Sequence, residues 1–320
     1  MLKIQHCLVV MLLAAPAASA LGSEPVMTPL ATGSELAVWR LPATAERRHT
    51  TPIVFLHGGP GMYTEARRFD EGAPLRAAGF DTVYFDQAGG GRSARLPAAA
   101  YGLERAVADL EALRIALGQE QMVLWGNSYG AALAMIYAAR HPARVAGFIL
   151  TAPGMFPGYS GARDYSRTDR GRVVYEKALS AAVNRIDKDG AAAEAALPQA
   201  EAGVLFDRLV AAELIDGVVC KGAAIRPPAL PGGGNLYAQR LIARDLKRLK
   251  PAEPPLAAVP ALVMRGACDY VPMASAQRYA DALGTKVTTI ENAGHGLLEQ
   301  RAAVDTALLG FASTALTRVK

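Results

Sequence analysis

Metal-binding chemistry is thin in this chain. Its 320 residues hold three cysteines and five histidines. No Cys/His spacing resembles a zinc site, so no metal or other cofactor is expected. A block of like charge is also missing. The formal net charge of +5 is spread thinly, with no basic cluster and no aromatic–basic interleaving. Nucleic acid is therefore not an expected partner. The apolar stretch near the N-terminus, Cys7 to Ala15, is too short to span a bilayer well. What the chain does have is apolar content, 51% of its residues, which argues against disorder and provides for a sizeable core. The length suits one large domain, or one domain with an insertion.

Residues 1–20 read as an export signal. Lys3 supplies the positive region, Cys7 to Ala15 the apolar core, and Ala18-Ser19-Ala20 the small-x-small cleavage site. Cleavage is expected after Ala20, giving a secreted or periplasmic protein with no stable membrane insertion. Cys220 and Cys268 then remain. An oxidising compartment permits a disulfide. Nothing in the sequence brings the two together, and two separate buried thiols are the expectation.

The rest of the chain is organised around Trp125-Gly126-Asn127-Ser128-Tyr129-Gly130-Ala131. An apolar run, Met122-Val123-Leu124, precedes it and a small-residue helical stretch follows. Strand, sharp turn and helix with G-x-S-x-G at the turn place a serine hydroxyl at an exposed tip. Gly126 and Gly130 stand where the two backbones must come close.

Several short apolar runs read as buried strands: 36–41, 52–56, 82–85, 122–124, 147–151, 261–265 and 286–290. Helical stretches are expected at about 63–78, 103–117, 131–139, 274–283 and 297–316. Such alternation indicates an α/β protein, with a mostly parallel sheet and helices on both faces. From Pro153 the texture changes. Charged helical stretches near 171–187, 199–216 and 235–250 contain no convincing buried strand, which indicates a helical cap inserted after the sixth strand. The expected organisation is signal 1–20, first part of the core 21–152, cap 153–255 and second part of the core 256–320.

Two loops follow strands on either side of the elbow. His57-Gly58-Gly59-Pro60-Gly61 leaves backbone N–H groups free of a ladder, and fixed N–H groups stabilise an oxyanion. Asp86 to Ser93 is Gly-rich but lacks the Lys-Ser/Thr of a phosphate loop, so nucleotide binding is not expected. A serine nucleophile needs a base, and the base needs an orienting acid. Asp269 follows the 261–265 strand, and His295 follows the 286–290 strand between two glycines. The order Ser128, Asp269, His295 is that of nucleophile, acid and histidine in one class of hydrolase. Of the other histidines past residue 20, His49 falls in a surface-type turn, His57 at a strand end, and His141 at a helix C-terminus.

These motifs resemble the proline iminopeptidase branch of the α/β-hydrolase superfamily. His57 to Gly61 matches its H-G-G-P-G. Asp86-Gln87-x-Gly89-x-Gly91-Arg92-Ser93 matches its D-Q-R-G-x-G-R-S, with Ala88 in place of Arg. The G-N-S-Y-G elbow departs from the usual Gly and Trp around the serine, and its Tyr129 is similar to the related tripeptidyl aminopeptidases. The resemblance covers about residues 50–155 and 260–300. It implies an α/β-hydrolase fold with Ser128, Asp269 and His295 as triad, and with the Gly59 and Tyr129 N–H groups as oxyanion hole. It also implies cap acids that hold a substrate amine, and Glu201 and Glu213 are the candidates on 199–216. Removal of N-terminal residues from short peptides is the first expectation. An esterase or lactonase on small esters or amides is the second. A non-catalytic binding protein is the third, against which the full triad argues.

Overall fold

A computed structural model describes residues 24–44, 46, 49–158, 176–225, 232–249 and 259–316, with the helix backbone alone over 211–217. The export signal, its cleavage site and the boundary placed at 255 lie outside these residues.

The chain begins with β1 (Val26–Pro29), β2 (Glu35–Leu41) and β3 (Ile53–Leu56). Two short helices, α1 (Arg67–Glu71) and α2 (Ala73–Ala77), lead to β4 (Thr82–Phe85) and α3 (Leu103–Ala116). β5 (Met122–Ser128) runs into α4 (Tyr129–Arg140), and β6 (Val145–Pro153) follows. Among the described residues three α-helices then intervene: α5 (Lys177–Asp189), α6 (Gln199–Gly217) and α7 (Leu236–Arg248). The core resumes with β7 (Ala261–Gly266), α8 (Met273–Ala282), β8 (Val287–Ile290) and α9 (Arg301–Thr314).

The eight strands among the described residues form one sheet in the order β1-β2-β4-β3-β5-β6-β7-β8. β2 pairs antiparallel with both β1 and β4. From β4 through β8 every pairing is parallel. The apolar strands are continuous because both faces are covered. In β3, Val54 and Leu56 face one apolar cluster, with α3, α4 and the inserted helices. Ile53 and Phe55 face the other, with α1, α2 and α9. β5 divides in the same way, Leu124 to one side and Trp125 to the other.

Three local expectations need correction, and one strand was not expected. The helix expected at 63–78 starts at Arg67 and breaks at Gly72, because Pro74 in the next turn has no N–H to continue it and suits a helix start instead. The last helix starts at Arg301, not Leu297; Leu297 has φ +53°, outside the right-handed helical region. β1 escaped notice because it is a mostly exposed edge strand ending in proline. His49 is buried and stacked on Phe80, with ring centroids 3.9 Å apart, so its segment is not a surface turn.

Candidate active site

The elbow is built by strain and close approach. Ser128 has φ +52° and ψ −119°, a conformation rare for a residue with a side chain. It persists because its surroundings allow nothing else. A Cβ on Gly126 would lie 2.6 Å from the Ala131 backbone, and one on Gly130 would run into the Leu56 carbonyl. With both side chains absent, β5 and α4 meet at the sharp angle that presents Ser128. Asn127 fixes the strand side: its Nδ2 donates to Thr151 O at 3.0 Å, and its Oδ1 accepts from Arg68 Nη2 at 2.9 Å.

The structure brings Ser128, His295 and Asp269 together although they are far apart in sequence. His295 Nε2 lies 3.0 Å from Ser128 Oγ, and His295 Nδ1 lies 2.9 Å from Asp269 Oδ1. The Asp269 side chain is 1% exposed, and its Oδ1 also accepts from Val271 N–H at 2.8 Å. Buried Asp269 accepts from Nδ1–H and so leaves the Nε2 lone pair for the serine hydroxyl. The Tyr270 ring packs against the His295 ring at 4.4 Å. The glycines beside His295 have a reason the sequence did not suggest. A Cβ at Gly294 or at Gly296 would collide with Val218 just past α6. They let the inserted helices sit directly on the histidine loop.

The second loop at the serine is His57 to Gly61. Gly58 is packed so closely that a Cβ there would come 3.0 Å from Ser128 Cβ. Gly59 lines the same cavity as Ser128, and Tyr129 opens α4 at the helix N-terminus. His57 is structural: its Nδ1 donates to Gly58 O at 2.8 Å, and its Nε2 accepts from Gln87 N–H at 2.9 Å. Burial pushes its pKa down to about 4, which keeps the ring neutral. The Gly-rich run after β4 braces this loop. Asp86 accepts from Thr64 N–H at 2.7 Å and from Arg92 N–H at 2.9 Å. Burial pushes its pKa up to about 6.

A cavity of about 130 Å³ opens above Ser128. Its apolar wall comes from Met62, Phe206, Leu209, Val210, Val218 and Tyr270, and its polar wall includes Glu65, Arg67, Arg68 and Gln239. Among the described residues the inserted helices thus supply part of the wall but no acid. Glu201 is exposed in the first turn of α6 and does not line the cavity, whose α6 residues lie further on, at Phe206, Leu209 and Val210. The Glu213 side chain lies outside the described residues. Glu176 is paired at the surface with Arg208, at 3.6 Å. Glu194 is held by Ala98 N–H at 2.8 Å and Gln199 Nε2 at 2.6 Å.

The charged residues actually at the cavity escaped the sequence reading. Glu65-Ala66-Arg67-Arg68 is charge-dense, but nothing in it indicates which way it faces. Glu65 takes two bonds from Arg67, at 2.7 and 3.0 Å, while Arg67 and Arg68 both reach Glu71 at 2.6 Å. Burial opposes ionisation of Glu65, but the Arg67 and Arg68 charges outweigh it and hold the carboxyl below its ordinary range.

The expectation of two separate thiols is overturned. Cys220 and Cys268 form a disulfide, with Cα atoms 5.3 Å apart. The separation in sequence, 48 residues, concealed a contact that exists because the end of α6 folds back onto the triad loops. There Gly296 N–H donates to Val218 O at 2.7 Å, and Cys220 N–H donates to Glu299 Oε1 at 2.6 Å.

Known proteins share this fold. Residues 51–177 match a family model described as the alpha/beta hydrolase fold. A probable proline iminopeptidase of Streptomyces coelicolor is 40% identical over 118 residues, which cover 34% of this chain and 34% of the relative. A human 1-acylglycerol-3-phosphate O-acyltransferase is 35% identical over 151 residues, covering 46% of this chain and 41% of that one. The chain therefore spans less than half the length of these relatives. Among solved structures, a proline iminopeptidase-related protein of Thermus thermophilus superposes with a TM-score of 0.62 at 23% identity, over 92% of this chain and 99% of that one. A thermophilic esterase from Thermogutta terrifontis gives 0.64 at 20% identity, over 90% and 98%. At such identities the structures speak for the fold alone. The structure thus has the α/β-hydrolase fold, residues 51–177 match the family model of that fold, and about a third of the chain is similar to proline iminopeptidases.

Proposed function

We propose that the protein is a serine hydrolase that works through an acyl-enzyme. The observation that carries this reading is the continuous chain Ser128 Oγ–His295 Nε2 and His295 Nδ1–Asp269 Oδ1, at 3.0 and 2.9 Å. Ser128 Oγ attacks the substrate carbonyl carbon while its proton passes to His295 Nε2. The carbonyl oxygen becomes an oxyanion held by the N–H groups of Gly59 and Tyr129. The intermediate collapses, the bond to the leaving group breaks, and His295 gives its proton to that group. Water, deprotonated by His295, then releases the acyl group and restores Ser128. Asp269 orients the imidazole and stabilises its charged form throughout.

The substrate class proposed first is a short peptide, with loss of its N-terminal residue. The names of the iminopeptidase relatives support it. A specific observation favours a second class, small esters or amides. A substrate ammonium entering a closed site needs an unpaired carboxylate. The carboxylate at the cavity among the described residues, Glu65, is already held by Arg67. Alanyl p-nitroanilide, acetylalanyl p-nitroanilide and p-nitrophenyl butyrate distinguish the two. Peptidase function requires the first to be cleaved at least about tenfold better than the second, roughly 1.4 kcal/mol. Comparable rates on the first two, with a faster ester, would transfer the assignment to the second class. We place the protein outside the cytoplasm, on the strength of the N-terminal signal pattern and of a disulfide that an oxidising compartment maintains.

A further inference from the structure

A second cavity, of about 150 Å³, adjoins the one above Ser128. The two share Arg67, Arg68 and Gly296 as a common wall, and Gly296 follows His295 in the chain. The hydrolytic steps make no use of this second space.

Its chemistry is two-sided. Trp125, Leu297, Leu298 and Val304 give it an apolar side. Arg67, Arg68 and Arg301 also line it, and Glu71 is the one carboxylate there among the described residues. Both Glu71 oxygens are taken, Oε1 by Arg67 Nη1 and Oε2 by Arg68 Nη1, each at 2.6 Å. Glu65 and Asp305 pair with Arg67 and Arg301 but do not line this cavity. Guanidiniums therefore outnumber carboxylates at its wall. They are also held in place. Arg68 Nη2 donates to Asn127 Oδ1 at 2.9 Å, and Arg301 donates to Asp305 Oδ1 at 2.6 Å and to Asp70 O at 2.5 Å. A guanidinium carries more N–H donors than these bonds use, and it stays charged at any ordinary pH. An acceptor that enters meets donors already oriented, beside apolar side chains that strengthen charge-assisted bonds.

We propose that this cavity is a subsite for a carboxylate on an apolar stem, carried by the substrate of Ser128. The inference rests on the serine-hydrolase reading and names its substrate class more closely: esters or amides with an anionic group at a distance from the reacting carbonyl. A carboxylate takes parallel N–H bonds from a guanidinium, which an uncharged alkyl end cannot do. Its stem packs on the side of Leu297 and Val304. The carboxylate belongs either to the acyl part of the substrate or to the leaving group, and two pairs of esters separate these cases.

In p-nitrophenyl hemiadipate, compared with p-nitrophenyl hexanoate, the carboxylate is on the acyl part. In para-carboxyphenyl butyrate, compared with phenyl butyrate, it is on the leaving group. Wild type should prefer the carboxylated member of one pair by at least about tenfold in kcat/KM, and that pair identifies the part that enters. Arg301→Gln removes a guanidinium from the second cavity and should reduce the preference about tenfold, mainly through KM. Leu298→Trp fills the apolar side without changing a charge, and should reduce it as well. Fluorophosphonate labelling of each protein reports whether the nucleophile is intact. A labelled wild type without the preference, or labelled variants that both keep it, overturns the subsite alone. A wild type that neither labels nor cleaves any of these esters overturns the hydrolase reading, and the subsite with it.

Discussion

Cys220, just past the end of α6, is joined covalently to Cys268, the residue before Asp269. The inserted helices and the loop of the triad acid are therefore one mechanical unit. Hydrogen bonds reinforce the joint: Val218 O accepts from Gly296 N–H at 2.7 Å, and Glu299 bridges Cys220 N–H and Gly294 N–H. Breaking the disulfide in a Cys220→Ser/Cys268→Ser variant should lower stability by about 2–4 kcal/mol. It should also raise KM, since Val218 is a wall of the cavity. Urea unfolding and steady-state kinetics measure both. Unchanged stability and KM would show that the joint holds without its covalent bond.

Gly130→Ala tests the elbow. Its added Cβ would run into the Leu56 carbonyl, a backbone atom of the neighbouring strand that has no flexible end to move. Overpacking of this kind costs about 1–3 kcal/mol or more. The expected outcome is a lower unfolding midpoint together with a slower reaction at Ser128. Wild-type stability and rate would mean that β5 and α4 are not held as closely as described.

His57 should make the fold acid-sensitive. Its pKa is about 4 in the fold against an ordinary 6.5. Between those values the unfolded chain binds the proton and the folded chain does not, so stability falls as pH drops through that window. The linkage is on the order of 3 kcal/mol. His57→Gln should flatten that part of the stability–pH curve, as read by urea unfolding at about pH 4 and about pH 7. An equal slope in the variant would assign the acid sensitivity to other groups.

Asp269→Asn keeps the side-chain shape but removes the charge that selects the His295 tautomer. The expected loss in kcat is about 10⁴, with the fold preserved. A loss below tenfold would mean that the contact at 2.9 Å is a turn interaction and not part of the reaction.

Much of this was legible before the structure. The strands at 53–56, 82–85 and 261–266 are short apolar runs ending in glycine or polar loops, and a sheet covered on both faces permits few other readings. The meeting of Ser128, Asp269 and His295 was legible because each stands at or just past the C-terminal end of a strand, where parallel sheets gather their functional groups. What escaped depends on contacts between distant segments. Which turn of α6 meets the cavity shows only once Phe206, Leu209 and Val210 are seen lining it, so Glu201 in the first turn looked as eligible as any acid nearby. The pairing of Cys220 with Cys268 is a consequence of how the end of α6 returns to the core, which no local pattern encodes. Gln239 is an ordinary residue in a basic amphipathic helix until its neighbours at Gly61 are known.

The central claim is that Ser128 is a nucleophile activated by His295. Intact-mass and peptide analysis after treatment with a fluorophosphonate test it most directly. One adduct per chain is predicted, on Ser128 Oγ, formed by wild type and absent from a folded Ser128→Ala variant that has lost nearly all turnover, by a factor of about 10⁶ by analogy with another serine hydrolase. No adduct on wild type, an adduct on a different residue, or near-wild-type turnover in Ser128→Ala would contradict the account.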